Sequence, residues 1–174
     1  MTRLLTLGFA LVLLPSASAW AQDLAEFPPG TSVTMTDSAS GVLKQCTRRT
    51  PTAIEGFWNP SDSVVGALEA PLIGLLRDVL PRLRLHGRPL ATPKATDYYR
   101  QYIGVIRGGK RMVYVNGFAA ELLDSQLADD LDSKQRPIVA CDGGAWFFGV
   151  LYDVDGHAFE RVEFNDDVGG AVRY

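Results

Sequence analysis

Residues Ala145 to Tyr152 read Ala-Trp-Phe-Phe-Gly-Val-Leu-Tyr, a strand-length stretch that is apolar at both parities. Successive side chains of a strand point to opposite faces, so Phe147 and Leu151 lie on one side and Trp146, Phe148, Val150 and Tyr152 on the other. Such a strand is stable only in the middle of a sheet that is covered on both faces. Asp142-Gly143-Gly144 precedes it and Asp153-Val154-Asp155-Gly156 follows, both sequences that favour turns. The flanking stretches Ile138–Cys141 and Ala158–Phe164 are predicted strands, which extends the pattern into a meander.

Upstream, Tyr98–Ile106 and Arg111–Phe118 are rich in aromatic and β-branched residues. They are joined by Arg107-Gly108-Gly109-Lys110, where two glycines supply the positive φ of a tight hairpin turn. Before the hairpin comes one helical pattern. Asn59 is the expected N-cap, Pro60 occupies the first helical position, and Asp62 sits in the first turn beside the positive dipole end. Val64, Leu68, Leu72, Leu75, Val79 and Leu83 then recur every three or four residues, a stripe that must face a core and leaves Glu69, Arg77 and Asp78 outside. Pro71 removes one backbone bond and predicts a kink, Pro81 ends the regular part, and Arg84 to Lys94 reads as a connection. Ala119–Leu131 has an apolar residue at every fourth position and predicts a short surface helix. Residues 22–57 show no sustained period beyond one predicted strand near Gly41–Cys46.

At the start of the chain, Arg3, the apolar run Leu4–Leu14, the break at Pro15-Ser16 and the small-x-small triplet Ala19-Trp20-Ala21 have the form of an export signal cleaved before Gln22. The run has 11 residues, and at about 1.5 Å each a helix of that length covers only about half of a ~30 Å hydrocarbon core. It is therefore too short for an anchor. The expected organisation is a signal peptide over 1–21, an extended arm over 22–57 and a single domain over 58–174, with no membrane span. With 47% hydrophobic and 21% charged residues in the sequence, the composition is that of a folded protein. The only two cysteines, Cys46 and Cys141, are read as a disulfide, since an even count in an exported chain favours pairing over a reactive thiol. One long kinked helix followed by a mostly antiparallel meander predicts an α+β fold, a cystatin-like roll or similar.

The strings Tyr99-Arg100-Gln101-Tyr102-x-Gly104, Val113-Tyr114-Val115-Asn116 and Cys141-Asp142-Gly143-Gly144, with Phe148-Gly149-Val150-x-Tyr152-Asp153, resemble those of small exported proteobacterial proteins of uncharacterised function. The resemblance covers about residues 58–165. It implies a bacterial periplasmic or secreted setting and carries over no catalytic residue.

Chemical signatures are sparse. Asp153-x-Asp155-Gly156 has part of a calcium-loop pattern, but Val162 and Leu151 stand where further oxygens are needed, so a β-turn is the better reading. His86 and His157 lack the helical spacing of zinc ligands. There is no nucleophile elbow and no phosphate-binding glycine loop. No metal, cofactor or catalytic residue is therefore assigned. Asp142 paired with Glu69 is the one acid–base arrangement available to an enzyme, against readings in which Asp142 caps a turn and Glu69 is solvated. Trp58, Trp146, Phe147 and Phe148 are read as core ahead of a ligand groove.

Charge is distributed unevenly. Residues 77–111 carry nine Lys or Arg against Asp78 and Asp97, whereas 112–174 carry four basic against twelve acidic residues. Either the two halves neutralise each other across strands, which is preferred, or the basic half forms an anion-attracting patch. If the meander strands are neighbours, the Gly108-Gly109 tip, the Asp142-Gly143-Gly144 turn and Asn165-Asp166-Asp167 share one sheet end, with Asn116, Asp153, Asp155 and His157 at the other. The expected function is a periplasmic or secreted non-catalytic binding or inhibitory domain, ahead of an envelope enzyme using paired carboxylates or a structural envelope component. Asp142, Gly143, Gly144, Asn116 and Trp146 are its candidate binding residues. An envelope protein or an anionic envelope polymer is the candidate partner, and nucleic acid is not expected for an exported chain of net charge −3.

Overall fold

The computed structural model describes residues 32–34, 37–122 and 136–166. It shows an α+β domain with one long helix, α1 (Asp62–Val79), over a mostly antiparallel sheet. The helix starts two residues later than expected, with Ser61 as N-cap and Pro60 buried before it. It runs through the exposed Pro71 and gives way at Pro81 to the single 3-10 turn Leu80–Arg82.

The sheet is organised around three long strands, β5 (Tyr98–Arg107), β6 (Lys110–Ala119) and β7 (Phe147–Asp153). The β5–β6 hairpin is the predicted one, with Arg107 opposite Lys110 and positive φ at Gly108 and Gly109. β6 is the middle strand, and its register sets Tyr102 opposite Val115 and Val115 opposite Val150. Short segments complete both outer edges. On the β5 side are β1 (Ser32–Thr34), the only parallel partner among the described residues, and β2 (Gly56–Trp58). On the β7 side are β8 (Ala158–Phe159) and β9 (Glu163–Phe164). Away from this sheet, β3 (Arg84–Leu85) and β4 (Arg88–Pro89) form a small hairpin.

Both faces of β7 are covered, as its sequence requires. The helix side packs Leu68, Leu72, Leu76, Val79 and Leu83 against Tyr98, Tyr102, Val113, Val115, Phe148 and Val150. The opposite side packs Val42, with Leu43, Ile54 and Phe57, against Ile103, Val105, Met112, Tyr114 and Leu151. The described residues before α1 thus supply the second covering layer, through Val42, Leu43, Ile54 and Phe57, and two strands.

Several expectations are corrected. The stretch near Gly41–Cys46 is not a strand; Asp37–Leu43 forms a 3-10 helix, in keeping with the absence of β-branched residues from Asp37 to Gly41. The helical stripe is rotated towards Ile73 and Leu76, so Val64 and Leu75 are only half-buried, and Glu69 is inside, while Arg77 and Asp78 are exposed. Residues 84–89 form a hairpin and not a plain connection; His86 and Gly87 both have positive φ in its turn. Ala120–Leu122 is a 3-10 turn, and the rest of the helix predicted over 119–131 lies outside the described residues.

Ile138–Cys141 is not a strand, and Ala158–Phe164 is two short strands with a break between them. Removing one strand from the meander reverses which ends meet. The Gly108-Gly109 tip lies with Asp153, since Lys110 Nζ is 3.0 Å from Asp153 Oδ2. The Asp142-Gly143-Gly144 turn and Asn165-Asp166 share the other end. Asn116 pairs across with Gln101 and Gly149, in mid-sheet.

Candidate functional site

The residues singled out in the sequence fall in three places. Asp142, Gly143 and Gly144 form an exposed turn beside the Cys46–Cys141 disulfide, whose Cα atoms are 4.6 Å apart. Gly143 and Gly144 have φ of 95° and 52°. Gly144 N donates to Asp166 Oδ2 at 3.1 Å, and the Asp142 carbonyl accepts from Asn165 Nδ2 at 2.8 Å. Trp146 is half-buried against the helix-side core. Trp58 donates through Nε1 to the carbonyls of Val105 and Met112 at 3.2 and 3.0 Å, and Phe148 is fully buried in edge-to-face contact with Tyr98, centroids 5.1 Å apart. Trp58, Trp146 and Phe148 thus belong to the helix-side core or its margin, and Phe147 is half-buried at the start of β7.

Asn116 is the surprise, because it is 1% exposed. Its Nδ2 donates to Gln101 Oε1 at 2.9 Å and to the Ile138 carbonyl at 3.0 Å, and its Oδ1 accepts from Arg48 Nη2. Arg48 also donates to Tyr114 Oη at 3.3 Å and to Asn165 Oδ1 at 3.1 Å. Burial lowers the Arg48 pKa and raises that of Tyr114, each partly offset by the other. The sequence names Asn116 as a candidate binding residue at a sheet end, where the structure buries it in mid-sheet. Sequence reasoning missed Arg48, Gln101 and Asn165, whose only signal is polarity at inward strand positions or within an irregular arm.

The proposed acid pair does not form. Glu69 is buried under α1, its Oε1 3.1 Å from Arg100 Nε on the helix side of β5. Burial pushes its carboxyl above the ordinary glutamate range against the opposing pull of Arg100. Asp142 is exposed on the end turn. Asp153 makes the predicted turn: its Oδ1 accepts from Asp155 N at 3.1 Å and Gly156 N at 2.8 Å. Among the described residues no three His, Cys, Asp or Glu side chains are grouped to hold a metal ion, and no helix is long and apolar enough to cross a membrane.

The basic segment divides into two parts. Its second part is neutralised: Arg100 meets Glu69, Arg107 meets Glu160, Lys110 meets Asp153, and Arg111 lies 3.7 Å from Asp155. In its first part, Arg82, Arg84, Arg88 and Lys94 are exposed, with no carboxylate partner among the described residues. Three of these arginines are on or next to the β3–β4 hairpin, whose Leu85 is 41% exposed. At the root of the hairpin a cleft of 610 Å³ opens between the end of α1 and residues 92–97, lined by Pro81 and Lys94 among others. The chain matches no protein-family model, no curated protein and no solved structure.

Proposed function

We propose that this is an exported, non-catalytic binding domain of the periplasm or extracellular space that uses the β3–β4 hairpin to hold an anionic envelope polymer. The observation that carries this reading is the division of the basic segment. Wherever a cation of this segment lies on the main sheet, an acid faces it, but Arg82, at the end of the 3-10 turn, and Arg84 and Arg88, on the separate hairpin, are exposed with no carboxylate partner among the described residues. Unpaired exposed charges on one protrusion raise the local concentration of a polyanion and pair with it as it slides along the surface. A tight turn through His86 and Gly87 keeps the guanidinium groups on a preorganised support. Export is supported by the signal-like first residues and by the disulfide. The layer order, a helix over an antiparallel meander, supports a cystatin-like roll.

Retention of the mature protein on immobilised dextran sulfate, with uncharged dextran as control, tests the reading. Retention on the sulfated matrix should fall as salt screens the charges. The variant Arg82→Ala/Arg84→Ala/Arg88→Ala should elute at much lower salt, while Arg111→Ala, which removes a cation already facing an acid, should elute near wild type. Equal elution of the triple variant and wild type would sink the proposal.

A further inference from the structure

On the side of the sheet away from α1, a groove of 150 Å³ opens between residues 49–52, the β6–β7 surface and residues 160–163. Its floor is Tyr114 and Gly149. Position 149 requires glycine, because a Cβ there would run into Tyr114 Oη and stand 3.0 Å from Arg48 Nε. Directly beneath is Arg48, 5% exposed. All three acceptors of its guanidinium are neutral, namely Tyr114 Oη, Asn165 Oδ1 and Asn116 Oδ1, and among the described residues no carboxylate pairs with it.

A buried cation without a counter-charge is costly, so it favours any anion that approaches. Tyr114 Oη accepts from Arg48, which leaves its own proton for an acceptor in the groove. The rim adds Arg49, Arg107 and Arg161. Glu160 engages Arg107 and Glu163 engages Arg161, while Arg49 is exposed and has no acid partner among the described residues. Among the described residues, three arginines and two glutamates line the groove and Arg48 lies beneath it, which leaves two more positive than negative charges at this place.

We propose that this groove binds a compact oxyanion, a phosphate, sulfate or carboxylate group, held by Arg49 and Arg161 at the rim and by the Tyr114 hydroxyl at the floor. The volume admits one such group and excludes a ligand of the size that fills pockets of roughly 300 Å³ and above. A guanidinium fixed by one carboxylate oxygen still has free N–H donors, so Arg107 and Arg161 are oriented by their glutamates and not exhausted by them. The site shares no residue with the β3–β4 hairpin and stands or falls independently of it.

The test is titration of the full mature chain with inorganic phosphate, sulfate and acetate at constant ionic strength, read by calorimetry and by the shift in Tm. At least one should bind saturably with a stoichiometry of one and raise Tm. Arg49→Ala and Arg161→Ala should each weaken binding roughly tenfold, as expected for loss of a charge-assisted contact. Tyr114→Phe should weaken it by a smaller factor. Glu160→Gln should tighten binding by removing a competing anion, an effect that a purely structural role would not produce. Phenyl phosphate binding as well as inorganic phosphate would identify the terminal group of a larger molecule, and its exclusion would identify a free ion. Absence of saturable binding by all three anions would overturn the proposal. So would equal affinity in an Arg49→Ala/Arg161→Ala variant whose Tm without anion matches that of wild type.

Discussion

The two faces of the sheet are filled by opposite means. Under α1 the packing is apolar apart from Glu69 and Arg100. Under the N-terminal segment a smaller apolar cluster gives way to Arg48, Gln101, Asn116 and Asn165. The cause is the regularity of the covering layer. A helix satisfies its own backbone groups, so the face beneath it can be wholly apolar, whereas irregular chain brings unpaired N–H and C=O groups that need partners. Residues 136–140 show how these are met. Gln101 Nε2 donates to the Arg136 carbonyl at 2.8 Å, and Gln101 Oε1 accepts from Ile138 N at 3.0 Å. Asn116 and Gln45 both donate to the Ile138 carbonyl, each at 3.0 Å. Asn165 donates to the Ala140 carbonyl at 3.1 Å. Amide side chains take the place of a strand ladder, which is why a sequence of strand-like composition runs there as coil.

The largest effect should come from the disulfide, which ties the two irregular pieces of the arm side together. The bridge closes a separation of 95 residues, for which the chain-entropy model gives roughly 4–5 kcal/mol and measured disulfides typically about 2–4 kcal/mol. Cys46→Ala/Cys141→Ala should therefore unfold at markedly lower denaturant concentration. Hydrogen exchange sharpens the comparison: amides of residues 44–48 and 138–140 should lose protection first, while those of α1 retain theirs. Equal loss in α1 would mean that the two faces open as one cooperative unit.

On the helix side, Leu68 is fully buried, and Leu68→Ala should cost about 2–5 kcal/mol, measured as a lowered Tm. Leu75→Ala, at a half-buried position, should cost distinctly less. Asp78→Asn on the exposed side should stay within about 0.5 kcal/mol. An equal loss at positions 68 and 75 would restore the unrotated stripe read from the spacing alone.

The same contrast sets how far the sequence could be read. Period 3.6 in α1, the aromatic and β-branched content of β5 and β6, the apolar residues at both parities of β7 and the two glycines of the hairpin are local signals, and each element they predict is present. The hairpin at residues 84–89 was less visible, because His86 fills a turn position that Asn or Asp more often holds. Arg48 has no periodic context; it is buried only because Gly149, Tyr114 and Asn116, remote in sequence, leave room and acceptors for it. Glu69 reads as an outside residue because a lone acid beside an apolar stripe is ordinarily solvated, and its partner Arg100 comes 31 positions later. Division of the basic segment needed the register, since Lys110 meets Asp153 only once β6 and β7 are aligned with Met112 opposite Asp153.

The buried pair on the helix side yields the smallest and most specific expectation. Burial raises the Glu69 pKa, and the neighbouring Arg100 opposes this without reversing it. Below about pH 4.3 the carboxyl is protonated in both folded and unfolded states, and its contribution to stability is fully present. As pH rises, the unfolded chain releases the proton first, so stability falls until the folded carboxyl also ionises and is level thereafter. Asp153 acts in the opposite sense, because the hydrogen bond from Gly156 N–H, together with Lys110, holds its carboxyl low; that contribution is lost as pH falls. Comparing wild type with Glu69→Gln cancels the Asp153 contribution and isolates Glu69. The stability of wild type relative to the variant should rise as pH is lowered from 7 to about 4 in thermal unfolding experiments. A flat difference would place no titration at Glu69 in this range, and a fall would mean that Arg100 outweighs burial, making the pair an ordinary ion pair set into an apolar face.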